Sequence, residues 1–439
     1  MKVWVSLLLI LLLAVALAVW VMLPWQGALV LAALFAAWLA LTRSGRRALS
    51  VADVGISTLG QRLGSSAVIV VGIAGVVGVL VAMLAMAEGY AETLRKTGSL
   101  DTALVLRGAS AAEVTSGLDH DSVVQIAQTA GIARDDKGEP LASPELVVAA
   151  NLPLKDGTTA DDEGSVQLRG VGNEVWSVRP QVRIVDGRRF KPGLRELLVG
   201  RGAAKQFAGL VPGHDIRLGS QTWTVAGVFA SGDALESELW ADGDVVAQTF
   251  ERGSSRNSVT VRLADAKGFA PFKAALDANP QLKIDASTTL DYFSKQSEGT
   301  ATVIRVIGIV VGSIMAIGAM FGALNTMFAA VASRAREIAT LRAIGFAGLP
   351  VVVAILLETM LLALAGGVLG GALAWLLFNG YGASTMAAGS VGKLSFELHV
   401  TAGVLWQGLK WALAIGLIGG LFPAVRAATM PVTAALREL

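Results

Sequence analysis

The sequence predicts a membrane protein, an α-helical transmembrane bundle of six spans carrying an α+β extracytoplasmic domain. Three observations predict it. Of 439 residues, 54% are hydrophobic and only 16% are charged, too apolar for an ordinary soluble chain. The apolar residues gather in runs near the length of roughly 20 residues that crosses a bilayer as a helix. Between the third and fourth runs lie about 200 polar, strand- and turn-rich residues, enough to build a core of their own. The net charge of +2 implies no nucleic-acid partner. There is no cysteine, which excludes disulfides, zinc–thiolate sites and thiol catalysis.

Taken in order, the spans are expected at residues 3–23, 28–41, 67–87, 303–331, 349–378 and 404–425. Pro24, Trp25, Gln26 and Gly27 make the turn of an N-terminal hairpin. Positive residues of the short loops set the orientation. Arg43, Arg46, Arg47 and Arg62 lie between spans two and three, Arg334, Arg336 and Arg342 between four and five, and Arg426 and Arg437 after span six. Six spans place all of these, with Lys2, in the cytoplasm, and residues 90–297 and 379–401 outside. A competing reading makes residues 1–23 a cleaved signal peptide, with Ala14 and Ala16 as the small-residue site. It would leave five spans and every other loop where it was.

Residues 49–64 place Val51, Val54, Leu59 and Leu63 near one helical face, so a helix along the inner interface is expected, with an irregular loop as the alternative. The outer insert alternates apolar and polar residues at 258–263, as a half-buried strand does. Residues 215–218, Gly219-Ser220 and 221–229 read as a hairpin. A short strand at 197–199, helices at 203–208 and 269–278, and polar loops at 134–144 and 155–164 complete an α+β unit of at least two lobes. From Asp291 to Arg342 there is no proline, so one helix of about 50 residues, roughly 75 Å, is expected. Glycines at 72, 75 and 78, and Gly366-x-x-x-Gly370, suit close packing, within the subunit rather than between subunits.

Two polar residues lie in the inner halves of spans, Asn325 and Glu358. An intramembrane ionisable group marks function or a structural hydrogen bond. Glu358 is expected to pair with Asn325 or with a neighbouring arginine, and no further acids or histidines accompany it to make a proton relay. Arg305 and Lys410 are placed to snorkel. His120, His214 and His399 lack metal-ligand spacing, and Gly200-Arg-Gly-Ala-Ala-Lys205-Gln206 is not a nucleotide-binding loop.

The loop after span four carries the sharpest signal. Ile338, Leu341 and Ile344 share a helix face, rimmed by Arg334, Arg336, Glu337 and Arg342 and closed by Gly345. The plain alternative is a basic loop obeying the positive-inside rule. The string Arg-x-Arg-Glu-Ile followed by Leu-Arg-Ala-Ile-Gly, together with the ending Pro423-x-x-Arg426-Ala-Ala, Pro431 and Ala-Leu436-Arg437, resembles the FtsX/MacB family of ABC-transporter permeases. The likeness runs from about residue 48 to 439. It implies an interfacial helix and span three at 48–89, a MacB-like periplasmic domain with stalks at 90–298, and an FtsX-like permease domain at 299–439, whereas the transmembrane hairpin at 1–47 is extra to the family's usual four spans. It further implies a bacterial inner-membrane chain that is not itself an enzyme. ATP and Mg would be bound by a separate ATPase that docks on the loop. The permease would act as a homo- or heterodimer in membrane lipid, with a periplasmic adaptor among its partners. Work would be done by mechanotransmission, for efflux or envelope transfer. The alternative within the family is a non-transporting permease that controls a cell-wall hydrolase. The substrate is not legible.

Overall fold

The computed structural model describes residues 16, 19–57, 59, 63–155, 162–265, 267–279, 281–386 and 391–430. It divides into two compact units. One is helical and is drawn from the residues up to Ala85, Ile304–Asn379 and the residues from His399 onward. The other is an α/β unit, Met86–Val303 with Gly380–Leu398.

The helical unit contains α1 (Trp25–Leu41), α2 (Arg43–Ser57) and the first part of α3 (Leu63–Thr97). It continues with most of α9 (Thr289–Ser333), then α10 (Ala335–Ala343), α11 (Gly348–Phe378) and α12 (Ala402–Thr429). Among the described residues, four helices are long and apolar enough to cross a membrane, α3, α9, α11 and α12. A fifth crossing is counted only if α1 and α2, bent by 93°, make one span. Four of the six expected spans, those at 67–87, 303–331, 349–378 and 404–425, thus lie on such helices. Most of residues 3–23 lie outside the described residues, and α1 has only 17 residues.

The helix expected at 49–64 instead begins at Arg43. Thr42 explains the start. Its backbone is extended, and its hydroxyl accepts the Gly45 amide at 2.9 Å, capping α2. The buried face of α2 is Gly45, Ala48, Val51, Ala52 and Gly55, a stripe of small residues that lets it lie against α11, whereas Val54 is exposed. Gly366 and Gly370 of α11 face α3. A Cβ at 370 would stand 2.4 Å from the Ala74 carbonyl oxygen, so these glycines are contacts within the subunit.

In the α/β unit the strands are β1 (Thr102–Arg107), β2 (Ala142–Pro153), β3 (Glu163–Val171), β4 (Arg183–Gly187), β5 (Glu196–Gly200), β6 (Asp215–Leu218), β7 (Gln221–Ala230), β8 (Glu238–Asp242), β9 (Ser258–Arg262) and β10 (Ile284–Thr288). The helices are α4 (His120–Ala127), α5 (Val175–Val178), α6 (Arg201–Gln206), α7 (Gly243–Thr249) and α8 (Phe269–Asp277). The sheet order is β10-β1-β9-β2-β3-β8-β5-β7-β4, with β6 on β7. Long strand β2 joins two lobes. Its first residues, 142–145, pair with β9, and residues 146–153 pair with β3. One lobe packs α4 and α8 on its sheet around Val105, Ile126, Val261 and Phe272. The other is buried on both faces, because Leu197 and Val199 of β5 point into one core with Trp223 while Leu198 points into a second with Phe229 and Trp240.

The chain between α11 and α12 folds too. It forms a hairpin, β11 (Gly382–Met386) and β12 (Lys393–Glu397), which belongs to the α/β unit. The Ser395 amide donates to the Ser237 hydroxyl at 2.9 Å, and the Ser165 hydroxyl donates to the Val391 carbonyl.

Candidate functional site

The site is built around a break in the helix expected at 291–342. α9 stops at Ser333 after 45 residues, and α10 starts at Ala335. Arg334 is the residue between them. Its Nη1 donates to Glu358 Oε2 of α11 at 3.1 Å and its Nε to Glu337 Oε2 in the first turn of α10 at 3.1 Å. The two side chains of the first pair are 12% and 6% exposed. A buried carboxylate on a membrane helix is costly unless paired, and this arginine supplies the pairing. Gly55 of α2 closes the third side. A Cβ there would lie 2.9 Å from Glu358 Oε2 and 3.3 Å from Arg334 Nη1.

α10 ends on Gly345, at φ +100, a conformation that favours glycine. The Gly345 amide bonds to the Arg342 carbonyl and the Phe346 amide to the Leu341 carbonyl, both about one turn back. Leu341 and Phe346 then pack together against Val51, Ala52, Ala354 and Leu357. Arg342 Nη1 donates to the Met430 carbonyl at the end of α12, and Arg426 of α12 stacks over Phe328 of α9 at 5.6 Å.

These contacts redraw the predicted face. Ile338, Leu341 and Ile344 do not present one surface. Ile338 is buried, and Leu341 packs on Val51 and Ala52 of α2 and Ala354 of α11; Ile344 alone of the three is exposed, at 69%. Arg336, Glu337, Thr340, Ala343 and Gly345 are exposed with it. Of the two intramembrane polar residues, Glu358 takes the arginine, and Asn325 lies exposed on α9 without touching it. Lys410 does not snorkel. It is 4% exposed, and its Nζ donates to the carbonyls of Val21 and of Leu23, the latter at 3.0 Å, while Trp20 Nε1 donates to the Lys410 carbonyl at 2.9 Å.

Sequence reasoning missed a second cluster, in the α/β unit. Arg169 of β3 is 1% exposed and meets Glu113, Glu145 and Glu238 at 2.9, 2.6 and 2.7 Å. Arg179 adds a contact to Glu145 at 3.1 Å. Burial pushes the Glu113 carboxyl up, but Arg169, aided by Arg179 and Ser258, overrides it and holds the pKa below the ordinary glutamate value. The same three carboxylates override burial at Arg169 and hold its pKa well above the usual value. Tyr292, whose hydroxyl accepts the Glu113 amide, is pushed up by burial and by Glu113. The cluster ties β2, β3 and β8 to the segment before α4. Only alternation in β3, with Gln167 and Arg169 where apolar residues belong, could have signalled it.

The model of the MacB-like periplasmic core domain matches residues 66–279, and that of the FtsX-like permease C-terminal domain matches residues 309–432. Together they take in well over half of the sequence, in the family's order. The chain belongs to the FtsX/MacB-like ABC-transporter permeases. Among relatives of this permease, the macrolide export ATP-binding/permease protein MacB of Shewanella oneidensis is 27% identical over 415 residues, covering 84% of this chain and 57% of that protein. The uncharacterized ABC transporter permease YknZ of Bacillus subtilis is 24% identical over 306 residues, 66% of this chain and 75% of that one. The MacB of Bordetella avium is 27% identical over 321 residues, 67% and 46%. The permease spans about half the length of these MacB relatives. The crystal structure of the periplasmic region of MacB from Actinobacillus actinomycetemcomitans covers 47% of the permease and 96% of that chain at 16% identity, with a TM-score of 0.35.

Proposed function

We propose that this permease couples ATP hydrolysis by a separate ATPase to movement of its α/β domain, for export or transfer across the envelope. The observation that carries the reading is α10. It is a nine-residue helix between two membrane helices, too short to be a domain, with Leu341 packed on its own unit and Arg336, Glu337, Thr340 and Ile344 exposed. An exposed apolar residue ringed by charges is a docking surface of small area, in which the apolar group carries contact energy and the charges orient the partner. ATP and Mg are assigned to the partner. A second copy of the permease, or a related one, completes a dimer, and a periplasmic adaptor and membrane lipid are further partners. The bacterial inner membrane is the location that fits this role.

Ile344→Asp tests this. It puts an acid in the contact without touching the core, so the variant is expected to melt like the parent and to lose co-purification with the ATPase or its stimulated hydrolysis. Leu341→Asp is expected to lower the melting temperature instead, since Leu341 packs on Val51 and Ala354. Unchanged ATPase binding and coupled hydrolysis in Ile344→Asp would reduce α10 to a positive-inside anchor.

A further inference from the structure

Three elements meet at one ion pair. Arg334 stands at the junction of α9 and α10, where its backbone (φ −105°, ψ 9°) interrupts the regular helix. Its guanidinium reaches into α10 through Glu337 and into α11 through Glu358. α2 lies on the pair with a glycine, so closely that a side chain at 55 has to displace either the pair or α2. At its other end α10 is fastened by Arg342 to the carbonyl of Met430, the residue that caps α12.

We infer that the Arg334–Glu358 pair, sealed by Gly55, is the latch that makes α10 move as one body with α11 and α2. This rests on the proposed coupling role of α10, but it concerns a different property, the rigidity of the joint rather than docking. The chemistry favours a latch over a filler. A planar guanidinium bonded to two acceptors on different helices fixes direction as well as distance. An apolar pair of the same bulk would pack equally well and fix neither. Because α2 is capped by Thr42 directly after α1, the latch also ties the N-terminal elements to the joint. Arg334, Glu358 and Gly55 are positioning residues in this account, and none contacts the partner.

Replacing both charges separates stability from positioning, since exchanging a buried ion pair for apolar residues is often neutral for folding. The full chain in phospholipid nanodiscs is followed by hydrogen exchange over residues 335–343, with Arg334→Met/Glu358→Leu and, independently, Gly55→Val. A nitroxide on Thr340→Cys gives a second readout, as the sequence has no other cysteine. Both variants are expected to keep the exchange of α12 unchanged while α10 exchanges about tenfold faster or more and the nitroxide line sharpens. Parental exchange and line shape at α10 in either variant, with α12 protected, overturn the latch. Faster exchange at α10 in both variants, with no ATPase docking on the parent, would overturn the docking reading and leave the latch standing.

Discussion

At the scale of single residues, buried charge decides most. Arg169 sits among three carboxylates in a protein interior, and removing it leaves Arg179, on Glu145, as the one nearby cation. Arg169→Met is expected to cost about 3–5 kcal/mol of stability, read as a lower melting temperature from the fluorescence of buried Trp223 and Trp240. The pH dependence gives the sign. In the parent, Glu113 has a folded pKa below its unfolded value of about 4.3, so its contribution is present above that pH and lost as pH falls through the folded pKa. In the variant burial, the largest influence on Glu113, is opposed only by Arg179 and Ser258, so its folded pKa rises, and the deficit relative to the parent should narrow on acidification from neutrality towards pH 5. A deficit that widens over that range would contradict the assignment. None of this was legible in sequence, where Arg169 and the three glutamates are spread over more than 120 positions.

At the scale of elements, periodicity worked where one face alone was buried. The hairpin of β6 and β7, strand β9 and helix α8 stand within a residue or two of their expected bounds, because alternation or a 3.6-residue repeat follows directly from a one-sided core. β5 is buried along its whole length, and such a strand shows no alternation. β11 and β12 were missed for another reason. A five-residue strand between two long apolar helices carries too little pattern to stand out. Gly392 shows how tightly this hairpin lies on β3, since a Cβ there would stand 2.6 Å from the Gln167 amide nitrogen. Gly392→Val should lift the hairpin and speed trypsin cleavage after Lys393 several-fold, with β9 and β10 as protected as before. Unaltered cleavage would mean that the hairpin is held from elsewhere.

At the scale of the whole molecule, the single pass of α11 makes the strongest topological demand. Ile344 precedes it and Tyr381 follows it, and both are exposed. In intact spheroplasts a membrane-impermeant maleimide should label Tyr381→Cys and spare Ile344→Cys until the cells are broken, with no native thiol to confuse the result. Labelling of both from outside would reverse the reading of α10 as a cytoplasmic surface. The family likeness was visible at this scale from the start, because the order of motifs survives even where individual helices are misjudged.

The sequence by itself determined the membrane class, the large polar insert, the family and the basic loop that carries Arg334. These depend on composition, on runs of apolar residues and on local strings, all of which are properties of neighbours in the chain. Only the tertiary structure decided which side of α10 is free. The same amphipathic stripe, Ile338, Leu341 and Ile344, suits a partner protein or the chain's own helices equally well, and periodicity cannot tell them apart. Ile338 is buried, α2 and α11 cover Leu341, and Ile344 is left outside. Likewise, a lone glutamate in an apolar span states that a partner must exist. That the partner is Arg334, 24 positions earlier, with Gly55 closing over it, is a matter of three helices meeting in space.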